Sequence, residues 1–80
     1  MMSNLKDKRK QAGLTQAELA SRAEVNLRMV QFYEEGKKDI NMAAGITLYK
    51  LAKTLDVAIE DLLELPDLSH TLSHTKSETN

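Results

Sequence analysis

Apolar residues recur at helical spacing from Leu5 to Leu65, and short polar breaks divide them into segments. The first segment predicts a helix over Leu5–Ala12, with Ser3 or Asn4 as its N-cap and Gly13 as its stop. Leu5, Arg9 and Ala12 share one face, while Lys6, Lys8 and Lys10 point elsewhere and Leu14 turns the chain inward. The second helix spans Gln16–Ala23: Thr15 is the N-cap, Glu18 three residues on completes a capping box, and Leu19, Ala20 and Ala23 make a narrow inward face. A third helix, Leu27–Glu35, is capped by Asn26 and ended by Gly36. Val30, Tyr33 and Glu34 lie on one of its faces. Leu27, Arg28, Gln31, Phe32 and Glu35 lie on much of the other. Leu48, Leu51, Ala52 and Leu55 form the stripe of a fourth helix over Met42–Leu55, capped by Asn41. Ile59–Leu65 reads as a short fifth helix before Pro66 breaks the pattern. The pattern is all-α and compact, with strands disfavoured by one Pro, three Gly and few aromatics.

The stretch Thr15–Gly36, TQAELASRAEVNLRMVQFYEEG, resembles the helix-turn-helix of the lambda-repressor and Cro family. Gln16-Ala17-Glu18-Leu19-Ala20 is similar to the family's opening of helix 2. Val25 sits where an apolar turn residue plugs the core, and Glu34-Glu35-Gly36-Lys37 is similar to the family's exit from helix 3. With the flanking helices the resemblance covers about Leu5 to Leu65, and it implies a five-helix DNA-binding domain. It further implies an ion pair between Arg9 and Glu34 that ties helix 1 to helix 3. Two independent surface charges are the plainer reading of those residues.

Family members often carry Gly where this chain has Glu24 and Asp56, so a side chain stands where the backbone takes positive φ. The segment between Gly36 and the Leu48 stripe is about three residues longer than is usual in the family. That is close to one helical turn and fits a helix 4 extended at its start, with Ile40 and Met42 to Ala44 supplying extra packing.

In this reading helix 3 enters the major groove of double-stranded DNA. Arg28 suits guanine O6 and N7, and Gln31 suits adenine; Leu27 and Phe32 suit thymine methyl groups. The same two apolar residues also fit a protein-binding patch, and Phe32 also fits partial burial against helix 4 or a neighbouring loop. Gln16 at the start of helix 2, the cap Asn26, and Lys37 and Lys38 after helix 3 are the phosphate contacts. Ile59, Leu62, Leu63 and Leu65 are more apolar than one short helix needs, and the resemblance makes this end a homodimer contact. A cap on the chain's own core is the alternative.

Charge modifies this picture. The whole chain has a net charge of −1, which weighs against nucleic acid, but residues 1–38 carry eight Lys/Arg against five Asp/Glu and residues 39–80 three against seven. The basic half holds the helix-turn-helix. Its small surplus implies few phosphate contacts per subunit and a need for two subunits. Eighty residues allow one small domain, read as residues 1–66, followed by a polar and flexible tail over 67–80. His70 and His74 in that tail are four apart, but no carboxylate or thiol pattern supports a metal, and none is expected. No Cys is present, and neither a signal peptide nor an apolar run of membrane-spanning length is seen, in keeping with a cytoplasmic protein away from the membrane. No nucleophile stands beside a base and no glycine-rich phosphate loop occurs, so neither enzyme chemistry nor a cofactor is expected. The expected function is a DNA-binding transcriptional regulator acting as a homodimer on a palindromic operator. The alternatives are an antitoxin-like autoregulator or a protein-interaction module with the same fold.

Overall fold

The computed structural model describes residues 3–65. Among them the chain forms four helices, α1 (Asn4–Gln11), α2 (Gln16–Ala23), α3 (Leu27–Glu35) and α4 (Gly45–Leu55), with single 3₁₀ turns at Ile40–Met42 and Ile59–Asp61. The first three begin where a side chain relieves the free amides of the first turn. Ser3 accepts from the Lys6 N–H, and Asn26 accepts from the Arg28 N–H at 2.7 Å. Thr15 and Glu18 close a reciprocal capping box at the start of α2. The Thr15 N–H donates to the Glu18 carboxylate at 2.8 Å and holds its pKa below the ordinary value.

All four helices end in the same way. A residue with positive φ follows each last turn: Gly13, Glu24, Gly36 and Asp56. The next N–H then reaches back five residues, from Leu14 to the Arg9 carbonyl, Val25 to Ala20, Lys37 to Phe32 and Val57 to Ala52. Leu14, Val25 and Val57 pack against the core from these positions. Lys37 is the polar exception, at the exit of α3, and it is exposed.

The core gathers Leu5, Leu19, Val30, Ile40, Leu51 and Leu62, all fully buried, with Ala20, Ala23, Tyr33, Leu48, Ala52 and Leu55 around them. One buried polar cluster crosses this packing. Arg9 Nε donates to Glu34 Oε2 at 2.7 Å, and Arg9 Nη2 donates to Glu34 Oε1 at 3.0 Å. Arg9 Nη1 donates to the Leu14 carbonyl at 2.7 Å, and Gln16 Nε2 donates to Glu34 Oε1 at 3.0 Å. The Glu34 side chain is 2 % exposed, and the pairing raises the Arg9 pKa further above its already high ordinary value. Among the described residues no buried polar side-chain atom lacks a hydrogen-bond partner.

Three expectations are corrected. The expected fifth helix over Ile59–Leu65 is one 3₁₀ turn, so four helices stand where five were expected. Asn4 Nδ2 takes the Leu63 carbonyl at 2.6 Å, and the Asn41 side chain takes both the Glu64 N–H (2.8 Å) and the Glu64 carbonyl (3.1 Å). Backbone groups that a helix would use are thereby committed to distant side chains. Helix 4 starts at Gly45 rather than Met42, with no side-chain cap, because Asn41 is occupied by Glu64 and Ala43 and Ala44 are extended. The three added residues are spent on the 3₁₀ turn, which Asp39 caps and which buries Ile40 but leaves Met42 exposed. Helix 1 is shifted back by one residue, so Ala12 is an exposed cap and not part of the inward face. The expected tail over 67–80, with His70 and His74, lies outside the described residues.

Three outcomes follow from this packing. Glu34→Ala strands the buried Arg9 guanidinium and should cost about 3–5 kcal/mol in urea denaturation; the paired apolar variant Arg9→Met/Glu34→Leu should recover much of that loss. Relief of the left-handed strain in Glu24→Gly should raise stability by about 0.5–1 kcal/mol, with Glu24→Val moving the midpoint the other way. The lowered Glu18 pKa contributes stability that is present above its unfolded value of about 4.3 and is lost as pH falls through the folded value. Acid titration of unfolding midpoints should therefore show a shallower loss below about pH 4.3 in Glu18→Gln than in the parent chain.

Candidate nucleic-acid interface

The two helices of the motif meet across a turn whose geometry Glu24 and Val25 fix. Glu24 takes φ 57°, and Val25 packs inward as its N–H closes on the Ala20 carbonyl. This sends the chain directly into the Asn26 cap and so sets the start of α3. Val30 and Tyr33 are buried, and Glu34 is locked by Arg9 and Gln16, so the opposite face of α3 is turned outward.

That outward face carries Leu27 and Arg28, both exposed, and Gln31 and Phe32, both half-buried. Arg28 presents a fork of donors, and Gln31 presents a donor and an acceptor on one planar amide. Groups of these shapes can grip a base edge with two hydrogen bonds. Asn26 is exposed, and its carboxamide oxygen is already used on the Arg28 N–H. Gln16 is half-buried and turned toward Glu34, which takes one of its two amide hydrogens. The N-terminal amides of α2 add a partial positive charge beside it, although the Glu18 carboxylate sits in that same first turn.

Past Gly36, Lys38 is exposed. Lys37 lies 5.8 Å from the centroid of the Phe32 ring and 3.5 Å from the Glu35 carboxylate. Both partners of the Lys37–Glu35 pair are more than half exposed, so the pair is weak, and a stronger anion can compete for the ammonium. The Lys37 ammonium thus lies over the Phe32 ring at the exit of the helix that carries it. Asp39, the one acidic residue of this loop, is committed to capping the Asn41 N–H at 2.9 Å.

Of the four expected dimer residues, Leu62 is fully buried in its own chain and offers no surface, which removes it from that set. Ile59 and Leu63 are half-buried and pack against the core, and Leu65 is exposed. Sequence reasoning missed the Gln16–Glu34 bond, because a Gln at the first position of a helix looks like a solvated residue. It also missed the Asn4–Leu63 and Asn41–Glu64 braces, for which no local pattern exists.

Among the described residues no group of His, Cys, Asp and Glu is placed to hold a metal ion, and no helix is long and apolar enough to cross a membrane. Neither a curated protein nor a solved structure gives a significant match to this chain. The helix-turn-helix family model matches residues 5–62, from the buried Leu5 of α1 to the buried Leu62 after the last 3₁₀ turn. All the fully buried core residues and all four helices but the first residue of α1 thus lie within the match, and the chain belongs to the lambda-repressor and Cro type of helix-turn-helix family, a DNA-binding family.

Proposed function

We propose that this protein is a sequence-specific transcriptional regulator that binds double-stranded DNA as a homodimer on a palindromic operator. The observation that carries the reading is the outward face of α3. A buried ion pair fixes the back of the helix, while exposed Arg28 and half-buried Gln31 stand at its front. Arg28 and Gln31 read base edges in the major groove, and Leu27 and Phe32 pack on thymine methyl groups. Gln16 (through its second amide hydrogen), Asn26, Lys37 and Lys38 contact phosphates and set the register. None of these contacts calls for a cofactor. Control is steric, through occupation of the operator.

The net charge of −1 and the few cations near α3 support the dimer, because one subunit neutralises few phosphates. Two subunits related by a two-fold axis would read half-sites about one helical turn, roughly 10 bp, apart. The apolar segment that holds Ile59, Leu63 and Leu65 is the contact that family resemblance assigns to the dimer.

Selection of bound sequences from a random duplex pool at low and moderate salt tests this function. Enrichment of a two-fold symmetric site, with binding that weakens steeply as salt rises, is the expected result. Enrichment of nothing, with weak binding at low salt alone, would turn the reading toward a protein partner. On the selected site, Arg28→Ala should cost about 1–3 kcal/mol and relax the preference at one base pair per half-site, whereas Lys38→Ala should weaken all sequences alike and lower the salt slope by about 1. Fluorescence anisotropy titrations of matched and mismatched duplexes separate the two effects.

A further inference from the structure

Residues 39–80 carry three Lys/Arg against seven Asp/Glu, and two of those three, Lys50 and Lys53, stand in one place. They line a shallow recess of about 260 Å³ between the end of α2 and α4, together with Arg22, buried Ala23, Glu24 and Tyr49. Arg22 and Lys53 are exposed, and Lys50 is half-buried. Three cations thus meet one carboxylate at this recess, in a chain whose net charge is −1. Among the described residues none of the three makes an ion pair. Glu18, one turn before Arg22, is already taken up by the Thr15 N–H. The Tyr49 ring is 51 % exposed, and the Lys53 ammonium lies 5.8 Å from its centroid. Ile46, one turn earlier on α4, is exposed as well.

From this convergence we infer that the recess between α2 and α4 docks an acidic segment of a partner protein. One apolar side chain of that segment seats against Tyr49, and its carboxylates meet Arg22, Lys50 and Lys53. Charge sets the class of partner: a surplus of cations without carboxylate partners attracts carboxylates and turns basic segments away. Volume sets how much enters. About 260 Å³ falls short of the roughly 300–1,000 Å³ of a small-molecule pocket, so the recess takes one side chain of a larger partner. The ring sets the kind of side chain. Tyr and Arg are the residue types that most often anchor protein contacts, and an exposed phenol presents an apolar body with a polar tip. The phosphate backbone of a duplex would engage the cations and leave the ring bare, which favours a peptide over DNA at this place.

The recess is separate from the reading surface. α3 contributes no residue to it, and none of Gln16, Asn26, Arg28, Gln31, Lys37 and Lys38 lines it. α4 packs on α2 and on the Ile59–Asp61 turn, whereas α3 packs on α1 and α2. DNA along the front of α3 therefore leaves the recess open, and one copy of the chain can hold an operator and an acidic partner together. An acidic segment docks here whether or not DNA is bound, so the site stands independently of the DNA reading.

The test is fluorescence anisotropy of the full chain with a fluorescein-labelled peptide of Glu residues around one central Phe, and with the same peptide carrying Ala for Phe. The variants are Lys53→Glu, Tyr49→Ala and Lys10→Glu; Lys10 is an exposed residue of α1 and controls for the change of charge. The parent should bind the Phe peptide with a dissociation constant below about 1 mM. Lys53→Glu should weaken it about tenfold, and Lys10→Glu by no more than about twofold. Tyr49→Ala should cost about tenfold on the Phe peptide and little on the Ala peptide, since ring and anchor act as a pair. Unfolding midpoints should stay at the parent value. No binding of the Phe peptide below about 1 mM would overturn the site, as would equal losses in Lys53→Glu and Lys10→Glu. Loss of duplex binding in Lys53→Glu with peptide binding intact would also overturn it, and would give the recess to DNA phosphate. The peptide measurements contain no DNA, so their failure leaves the DNA reading standing.

Discussion

The Glu34 carboxylate accepts three hydrogen bonds, two from Arg9 on α1 and one from Gln16 at the start of α2, and the posture of α3 depends on them. Apolar packing alone would hold α3 against the core but would resist rotation or sliding weakly, because hydrophobic contact has no direction. A planar guanidinium meeting a carboxylate with two parallel bonds does have one. The same guanidinium also holds the Leu14 carbonyl, so a single side chain ties together α1, the connection into α2, and α3. Compared with an apolar pair of equal volume, such a buried ion pair need not add stability, since desolvation offsets most of the attraction. Its contribution is orientation: the back of α3 is fixed, and what lies at the front becomes a defined surface.

The helix ends extend this constraint. Each helix closes with a left-handed residue and a backbone bond that reaches back five residues, and in three of the four the next residue is apolar and packs inward. The turn therefore decides both where a helix stops and where the next begins. Glu24 and Asp56 hold this conformation without glycine's freedom, which marks two places where the chain accepts local strain to keep the path of the backbone. Between α3 and α4 the demand differs. Lys37 replaces the apolar residue, and the chain stays at the surface through Lys38 before Ile40 returns it to the core.

How much of this was legible depended on how local the cause was. The spans of α2 and α3 followed from caps and stops within a few residues of one another, Thr15 with Glu18 and Asn26 with Gly36, and both were read to the residue. The start of α4 and the shape of the segment Ile59–Leu65 were not legible, because Asn41 and Asn4 act on backbone 23 and 59 residues away. An Asn before an apolar run reads as a cap unless its distant partner is known. Leu62 and Leu65 carry the same residue type in one short stretch, yet one is fully buried and the other half exposed. Only the three-dimensional path of the backbone separates them. Family resemblance placed Arg9 with Glu34, whereas nothing in the residue spacing did, and the third bond from Gln16 left no trace in the sequence.

The central claim is that the front of α3 is the surface that meets DNA. Amide chemical shifts of the isotopically labelled chain, followed during titration with its selected duplex, test it most directly. The account predicts the largest changes at Asn26 to Phe32, with further changes at Gln16 and at Lys37 and Lys38. Shifts that leave α3 unmoved and gather on another surface would contradict it.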